Sequence, residues 1–351
     1  MHALLFDLGG TFLRAGTVTD SGKIEYTTKA RIGSITDGLD APLIWERVTA
    51  SILAYEAKYR RLVSDDAPVV ISFPGPIAGG VTVLQAPTLC GQAGPFDLAG
   101  AIKQGTGRQT VLLNDVSAAA WHLAEVTTAR SFMVTTVSSG IGSKIFYRAH
   151  PSGVLDEPPY AGEIGHIVVN DSVDAPVCDC GARGHLGAIA SGRGIERRAR
   201  QKAMRKEADF QKSLAASGLG ATPETLNNED HIVPAVLAGD AWATSLVVEC
   251  TRPLVLTLLT VAIAAGLERI FLIGGFANAL GFRYIEILRQ LAAAASQYEP
   301  VREKLDGLFE AAPCKGETCL QGCAAFLRHR RRLPWFHDVG ESVESLPSLA
   351  R

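Results

Sequence analysis

The hydrophobic pattern along the chain predicts strands and helices in alternation. Two segments share one design, an apolar strand, a glycine-containing turn and a second apolar strand: HALLFDLGGTFLRAGTVTD near the N-terminus and SFMVTTVSSGIGSKIFYR further on. A third glycine turn, Gly274-Gly275, follows the apolar strand RIFLI and precedes a helix-like segment. Helical apolar spacing in APLIWERVTASILAYEAKYRRLV predicts a long helix after the first hairpin. We therefore predict an α/β protein.

The repeated hairpin predicts two similar α/β domains that face a cleft. We place the N-terminal domain at residues 1–117 and the C-terminal domain at residues 118–318. The last segment, residues 331–351, loses the periodic apolar pattern, and we expect a peripheral or partly disordered tail there.

Composition excludes several classes of protein. The chain has 351 residues, 47% hydrophobic and 20% charged, which is a globular profile at a length that suits two domains. Its net charge of −2 gives no general attraction for nucleic acid or anionic lipid. The run VVECTRPLVLTLLTVAIAAGLERIFLI contains Arg252, Glu268 and Arg269, so it predicts a buried helix and a strand rather than a membrane span. Seven cysteines without a secretory signal fit a reducing cytoplasm.

Residues 161–185 hold two histidines and two cysteines at a spacing that suits one tetrahedral metal ion. Eleven residues separate His166 from Cys178, one separates Cys178 from Cys180, and four separate Cys180 from His185. Zinc binds thiolate and imidazole, and structural zinc sites are closed by four protein ligands. The alternative is a loop with two incidental thiols and two exposed histidines, because this is not a standard zinc-finger spacing. A disulfide across a one-residue gap would be strained.

The other five cysteines give a weaker signal. Cys319 and Cys323 lie four positions apart in CLQGCAAFL, and we expect both to be small apolar residues on one helix face. A second metal site formed with Cys314 is a less favoured alternative.

Three glycine turns are candidate sites for the phosphates and base of a nucleotide. A turn without Cβ atoms lets backbone N–H groups approach an anion. The first turn, after Asp7, would hold phosphates, and Asp7 would anchor the water shell of Mg²⁺. The second turn, from Ser138 to Gly142, would cover the phosphates from the other side. The third turn, Gly274-Gly275, suits the base or ribose of the nucleotide. One such turn is usually only a turn, but three in this order are more specific. The candidate residues are Asp7, Gly9, Gly10, Thr11, Arg14, Ser138, Ser139, Gly140, Gly142, Gly274 and Gly275.

Asn114 and Asp115 end the apolar strand QTVLLND and open the alanine-rich helix VSAAAWHLAEV. Helix N–H groups at that place orient a carboxylate and favour its ionised form. Such a carboxylate can take the proton of an acceptor hydroxyl during phosphoryl transfer. The alternative is an aspartate that only caps the helix.

Seven motifs follow one another along the chain: FDLGGT, SFPGPI, LLNDVSAAA, SSGIGS, EIGH, CxCGxxGH and LIGG. With these motifs in this order, the chain resembles the ROK family of sugar kinases, within the hexokinase–actin–Hsp70 superfold. The resemblance extends from about residue 3 to about residue 328, and EIGH, CDCG and NDVSAAA are its most specific parts. It implies a two-domain actin-like ATPase (ribonuclease H-like) fold, each domain a mixed five-stranded sheet flanked by helices. It also implies that a last helix, about residues 319–330, rejoins the N-terminal domain.

The resemblance implies that ATP, with Mg²⁺, donates phosphate to a sugar. It assigns the general-base role to Asp115 and contacts with the sugar to Asn114, Gly75 and Glu163. His166 would ligate zinc through one ring nitrogen and contact the sugar through the other. The zinc is therefore expected to be structural and to orient the substrate. Since four protein ligands fill its shell, it is not expected to activate water.

Three departures from the family pattern bear on the substrate. The pattern CxCGxxGCxE ends in a third cysteine and a glutamate that contacts the sugar near its anomeric end, where this chain has His185 and Gly187. His185 remains a competent zinc ligand. Losing the glutamate removes a hydrogen bond worth about 1.5–3 kcal/mol, or about 10- to 200-fold in affinity. Ser143 and Lys144 replace small glycines, and Lys144 either adds charge near the phosphates or is a solvated loop lysine.

We therefore expect a kinase acting on the primary hydroxyl of a glucose-like sugar or carbocyclic analogue. We expect an ordinary hexose or N-acetylhexosamine as the acceptor. The alternative is a valiolone-type C7-cyclitol, which has no anomeric hydroxyl and would fit Gly187. A sugar-responsive repressor is disfavoured because the first phosphate motif begins at Asp7, and a non-catalytic sugar-binding protein because Asp7 and Asp115 are intact. We expect a cytoplasmic homodimer that binds a small acceptor and neither nucleic acid nor membrane.

Overall fold

The computed structural model describes residues 3–10, 12–91, 93–205, 208–313 and 316–329. Its strands are β1 (Ala3–Leu8), β2 (Phe12–Val18), β3 (Ile24–Arg31), β4 (Val69–Phe73), β5 (Ile77–Ala78), β6 (Thr82–Val83), β7 (Thr110–Asn114), β8 (Ser131–Val137), β9 (Ile141–Tyr147), β10 (Arg269–Ile273) and β11 (Phe309–Ala311). Its helices are α1 (Ala41–Tyr59), α2 (Pro87–Cys90), α3 (Leu98–Thr106), α4 (Asp115–Val126), α5 (Leu186–Ala190), α6 (Gly192–Met204), α7 (Ala208–Lys212), α8 (Leu214–Ser217), α9 (Val233–Leu237), α10 (Ala241–Ala265), α11 (Gly275–Leu280), α12 (Phe282–Ala295), α13 (Glu299–Leu305) and α14 (Thr318–His329). Short 3-10 turns at Ile35–Asp37, Arg60–Leu62 and Ile164–His166 and a π-helical turn at Asn228–Ile232 complete the helical structure described.

The chain forms two compact units. The first comprises Met1–Val126, Tyr147–Leu155 and Glu317–Arg351, and the second comprises Thr127–Phe146 and Asp156–Gly316. The boundary predicted at residue 117 falls inside α4, and that helix belongs as a whole to the first unit, as does α14. The predicted tail and the residues Thr11 and Cys314 lie outside the described residues.

The first unit is built on a five-stranded sheet in the order β3-β2-β1-β4-β7. Strands β1, β4 and β7 run parallel, and β1, β2 and β3 form an antiparallel meander. Every residue of β1 and β4 is buried, as expected for parallel strands covered on both faces. On one face the ring of Phe6 packs edge-on against Tyr55 of α1, with centroids 5.4 Å apart. From α14, the Cys323 thiol lies 3.9 Å from the Phe6 carbonyl.

The second unit has, within the described residues, a four-stranded sheet in the order β11-β10-β8-β9. Strand β10 runs parallel to both β8 and β11. The first sheet has the same order with one more edge strand, so the second sheet has one strand fewer than predicted. Beyond β9 the chain carries Pro158, Pro159 and two glycines with positive φ, Gly153 and Gly162. Such residues interrupt a regular strand, which explains the difference.

Helix α10 is long and apolar enough to cross a membrane by length and composition. Its residues Leu246, Cys250, Leu254 and Leu258 are nevertheless buried inside the second unit, and 56% of its most apolar window is buried. Strand β10 follows it directly. A core helix followed by a strand is the arrangement predicted for this stretch.

Helices α4 and α14 of the first unit pack with their backbones almost in contact. A Cβ atom on Gly322 of α14 would lie 1.8 Å from the carbonyl oxygen of Ala118 in α4. At the far end of the pair, Arg328 Nε donates to Glu125 at 2.8 Å. This spacing brings the Cys319 thiol to 3.7 Å from the carbonyl of Asp115.

We predict that Gly322→Ala destabilises the protein although alanine is the better helix former. Forcing α4 and α14 apart is an overpacking change that costs about 1–3 kcal/mol, and the gain in helix propensity offsets about 1 kcal/mol of it. The measurement is the midpoint of urea unfolding, which should fall. Gly94→Ala is the control, because a Cβ atom there meets nothing within 4 Å. An unchanged midpoint for Gly322→Ala would show that the two helices separate freely.

Candidate active site and metal centre

The predicted site residues of the first unit lie where the parallel strands of its sheet end. Asp7 of β1 pairs with Ser72 of β4, and β4 pairs with β7 as far as Asn114. The carboxyl ends of parallel strands share one edge of the sheet, which is where open α/β sheets bind ligands. The register therefore brings Asp7, Asn114, Asp115 and the loop residue Gly75 to that edge.

Asp7 is a buried carboxylate, 5% exposed, that is held through both oxygens. Arg14 donates to its Oδ2 at 3.0 Å, and the Ser72 hydroxyl donates to its Oδ1 at 3.2 Å. Burial raises the pKa of Asp7, while Arg14, Ser72 and Cys319 oppose that rise. A carboxylate fixed in this way suits the anchoring of a hydrated Mg²⁺ ion. Sequence reasoning missed Ser72, although a hydroxyl within the apolar strand VVISF is a recognisable signal.

The two glycines after β1 have different surroundings. The Gly9 N–H donates to the Phe12 carbonyl at 2.8 Å, so it closes the hairpin turn. Gly10 is exposed, and a Cβ atom there would meet nothing within 4 Å. Of the two, Gly10 therefore offers the more open backbone for a phosphate.

Asn114 and Asp115 stand at the start of α4. The Asn114 side chain accepts N–H groups from Val116 and Ser117 at 3.0 and 3.3 Å and donates to the Gly75 carbonyl at 2.9 Å. Asn114 thus caps the helix, and its amide, which carries two N–H donors, uses one of them on Gly75. The Asp115 Oδ1 accepts the N–H of Val116 at 2.9 Å, so the helix start orients that carboxylate as expected.

The glycine turns of the second unit are neighbours because β8 and β10 are adjacent parallel strands. Gly274 has a φ of +99°, and a Cβ atom there would lie 2.6 Å from the Val137 carbonyl, so only glycine fits. A Cβ atom on Gly275 would lie 3.5 Å from the Ser138 hydroxyl. The structure therefore brings the third turn together with the second, which consists of Ser138, Ser139, Gly140 and, at the start of β9, Gly142.

Glu163 and His166 flank a short turn that packs directly on β9. A Cβ atom on Gly165 would lie 2.2 Å from the Ile141 carbonyl, so the two backbones are in contact. Burial raises the pKa of Glu163, and the charges of Lys144 and His166 oppose that rise. The two residues predicted to contact the sugar are thus placed on one rigid segment.

Lys144 is not where the sequence suggested. It is a residue of β9 with 6% exposure, and its Nζ donates to the Ala161 carbonyl at 2.7 Å. The interpretation of Lys144 as a solvated loop lysine is therefore wrong. Sequence spacing could not reveal this, because the segment that buries it follows β9 through a long irregular stretch.

The four candidate metal ligands converge within the second unit. Their ligand atoms all lie within 4.8 Å of one another. The Cys178 Sγ is 3.8 Å from His166 Nδ1, and the Cys180 Sγ is 3.3 Å from His185 Nδ1. Tetrahedral zinc with bonds of about 2.0–2.3 Å separates its ligand atoms by about 3.3–3.8 Å. The donor set therefore fits one zinc ion with little movement, which argues against incidental thiols.

Two glycines shape the loop that carries three of these ligands. Gly181 and Gly184 have φ values of +92° and +71°, and a Cβ atom on Gly184 would lie 1.6 Å from the Asn170 carbonyl. Burial, together with the neighbouring Cys180 and Asp179, raises the pKa of the Cys178 thiol. Because zinc binds the thiolate, metal binding at this residue must displace a proton.

Gly187 lies in the short helix that follows the last metal ligand. A Cβ atom there would lie 3.1 Å from the Gly165 carbonyl, so the turn between Glu163 and His166 would have to yield by a few tenths of an ångström. The start of α5 therefore packs on the segment predicted to bind the acceptor. The position that carries glutamate in the family pattern is built around glycine here.

The fold and the relatives of this chain place it among the actin-like phosphotransferases. The chain belongs to the ROK family, whose model matches residues 4–330. It is 37% identical over 290 residues to the C(7)-cyclitol 7-kinase of Streptomyces hygroscopicus subsp. jinggangensis (strain 5008), covering 80% of this chain and 81% of that protein. It is 34% identical over 200 residues to the N-acetylmannosamine kinase of Pasteurella multocida (strain Pm70), and this match covers 56% of this chain and 62% of that protein.

Among solved structures, the ROK family glucokinase from Streptomyces griseus, in complex with glucose and AMPPNP, matches with a TM-score of 0.68 at 23% identity and covers 92% of this chain and 98% of that chain. These likenesses confirm the predicted family, the actin-like fold and the class of enzyme, a kinase. The roles of individual residues and the metal stay predictions, because a shared fold does not by itself establish what a site does.

We predict about one zinc ion per purified chain, since four ligands complete one shell. His185→Ala should lose the metal and His185→Cys should keep it, as measured by inductively coupled plasma mass spectrometry. Because the pKa of the Cys178 thiol is raised, protons compete with zinc for this sulfur more strongly than for an ordinary cysteine. A chelator should therefore remove the zinc faster at about pH 6 than at about pH 8. His150→Ala is the control for changing a histidine outside the cluster. Full zinc content in His185→Ala would exclude this ligand.

Proposed function

We propose that this chain is an ATP-dependent kinase that phosphorylates the primary hydroxyl of a valiolone-type C7-cyclitol. The observation that carries the choice of acceptor is Gly187, which stands where the family pattern has a sugar-binding glutamate. A cyclitol ring is carbocyclic and has no anomeric hydroxyl, so that glutamate would have no partner. The 37% identity to a C(7)-cyclitol 7-kinase supports the same choice.

Asp115 is the general base of the proposed reaction. The N–H of Val116 at the start of α4 orients its carboxylate at 2.9 Å. The carboxylate takes the proton of the acceptor hydroxyl as that oxygen bonds to the γ-phosphorus of ATP, and the bond from phosphorus to ADP breaks. Asn114 supports this geometry, because it caps α4 and is itself tied to Gly75.

The phosphate donor is held by the glycine turns in this proposal. Gly10 has open surroundings, and Gly274 and Gly275 lie beside the Ser138 turn, so backbone N–H groups can approach phosphate oxygens. Asp7, fixed by Arg14 and Ser72, would hold the water shell of Mg²⁺. The magnesium ion supplies positive charge against the phosphate oxygens.

Glu163 and His166 bind the hydroxyl groups of the acceptor. His166 approaches Cys178 through Nδ1, which leaves its other ring nitrogen for the acceptor. Zinc held by His166, Cys178, Cys180 and His185 would fix the orientation of that imidazole. The metal is structural in this proposal, since four protein ligands complete its shell.

A kinase for a hexose or an N-acetylhexosamine is the second candidate. It is favoured by the 34% identity to an N-acetylmannosamine kinase and by the presence of Glu163 and His166. A sugar-sensing protein without catalysis is a weaker candidate, because Asp7 and Asp115 both occupy ordered, hydrogen-bonded positions.

We also propose that the protein works in the cytoplasm as a homodimer with small-molecule partners. The net charge of −2 and the buried face of α10 support the absence of nucleic-acid and membrane partners. Its cysteines support a reducing compartment, because the six described ones are free thiols.

We predict that kcat/KM for a valiolone-type C7-cyclitol exceeds that for glucose and for N-acetylmannosamine by at least about ten-fold, which corresponds to one lost hydrogen bond to the missing glutamate. A coupled assay of ADP release with each acceptor measures the ratio. A higher kcat/KM for either sugar would select the second candidate.

Two variants at position 187 make this comparison sharper. Gly187→Ala adds a Cβ atom alone and controls for the contact with the Gly165 carbonyl. Gly187→Glu adds the family's carboxylate at the same steric cost near the backbone. Relative to Gly187→Ala, it should raise kcat/KM for glucose and lower that for the cyclitol, which offers the carboxylate no hydroxyl to offset its desolvation. No difference between the two variants would remove Gly187 from the argument.

Asp115→Asn should lower kcat by about 10²- to 10⁴-fold, the range for loss of a general base. Asn114, which caps α4 through Val116 and Ser117, is unchanged in this variant, so the structure of α4 should persist. Asp97→Asn is the matched control, since Asp97 caps α3 through a 2.8 Å bond to Gly100. Its kcat should equal that of the parent. An Asp115→Asn variant as fast as the parent would contradict the assignment of the base.

A further inference from the structure

Lys144 is a buried cation that the mechanism above does not use. It lies on β9 with 6% exposure, and its Nζ donates to the Ala161 carbonyl at 2.7 Å. Lysine is almost never buried to this degree without specific partners. The family pattern has a small glycine at this position, so the cation is a feature of this chain rather than of the pattern.

The strand that carries Lys144 holds the acceptor segment, residues 160–166, through its backbone. The Ser143 N–H and hydroxyl both donate to the Gly162 carbonyl, at 2.8 and 3.1 Å. Gly162 has a φ of +83°, and a Cβ atom there would lie 1.7 Å from the Ser143 carbonyl. Lys144 follows Ser143 on β9, and Ala161 precedes Gly162 in the acceptor segment. Their contact therefore adds one more residue of each segment to this attachment.

Glu163 follows directly on this attachment. Its backbone carbonyl accepts the N–H of His166 at 3.0 Å, which closes the short turn Ile164–His166. Fixing Ala161 and Gly162 on β9 therefore also fixes the backbone of Glu163.

We propose that Lys144 is a positioning residue of the acceptor site, which fixes the Ala161–Glu163 backbone on β9 and so holds Glu163 in place for the acceptor. This inference rests on the proposed function, in which Glu163 binds the acceptor.

The variant Lys144→Met keeps the length and apolar stem of the side chain and removes its charge and its donor. We expect it to raise KM for the acceptor by about ten-fold, as for loss of one charge interaction in a site, and to change KM for ATP by less than about two-fold. Lys144→Arg, which keeps a charge and a donor, should restore most of the affinity for the acceptor. A uniform loss of kcat with both KM values unchanged would overturn the proposal.

A double-mutant cycle with Glu163→Gln separates positioning from a merely structural role. If Lys144 acts through the Glu163 carboxylate, Lys144→Met should change KM for the acceptor by less than about two-fold in the Glu163→Gln background. Equal effects in both backgrounds would overturn the proposal and leave the proposed function intact. If Glu163→Gln alone leaves acceptor KM unchanged, the acceptor site itself is wrong, and both fail.

The control for the loss of a paired lysine is Lys202→Met. Lys202 is in the same unit, its side chain is 19% exposed, and its Nζ lies 2.7 Å from Glu249. It should leave both KM values at those of the parent. If Lys144→Met does not fold, Lys144→Gln takes its place in the same cycle with the same two outcomes, because its side chain is one bond shorter and loses the 2.7 Å contact with the Ala161 carbonyl.

Discussion

Direct contact between backbones, at places where a Cβ atom has no room, fixes the geometry of the site segments. In the second unit a Cβ atom on Gly162 or Gly165 would lie 1.7 or 2.2 Å from a carbonyl oxygen of β9. In the first unit a Cβ atom on Gly75 or Gly322 would lie 2.3 or 1.8 Å from a backbone carbonyl oxygen. Side chains move among rotamers, whereas these backbone contacts cannot relax without moving a strand or helix. The positions of the candidate site residues are therefore set by the most rigid parts of each unit, as catalysis by positioning requires.

A second constraint is the cost of burying carboxylates next to those contacts. Burial raises the pKa of both Asp7 and Glu163, and in each case a nearby cation opposes the rise, Arg14 in the first unit and Lys144 in the second. A buried charge without a partner tends to neutralise, and a neutral carboxyl group could neither hold the water shell of a metal nor serve purely as a hydrogen-bond acceptor. The two units meet the same electrostatic requirement with unrelated residues.

The sequence predicts the local features of this molecule and misses those that depend on distant contacts. The glycine turns and the convergence of Cys178, Cys180 and His185 follow from spacing within a few residues, so pattern alone was sufficient. The hydrogen bond from Ser72 to Asp7 spans 65 residues, and nothing near either residue encodes the parallel register that creates it. The burial of Lys144 and the absent edge strand of the second sheet depend on where an irregular segment packs. The pattern of a strand shows how apolar and polar residues alternate along it, but it does not show which loop covers a face of the sheet.

Two departures from the family pattern, Lys144 and Gly187, act on one short segment of the second unit. Lys144 binds the Ala161 carbonyl at its start, and Gly187 packs near the Gly165 carbonyl at its end. The family pattern places a second carboxylate at position 187, whereas this chain has a buried cation close to its remaining carboxylate, Glu163. Both changes make the proposed acceptor site less negative. A carboxylate is useful where the ligand offers a donor, and it is a desolvation cost where the ligand offers none. The proposed cyclitol has one polar group fewer at its ring than a hexose, and it would therefore be matched by a site with one carboxylate fewer.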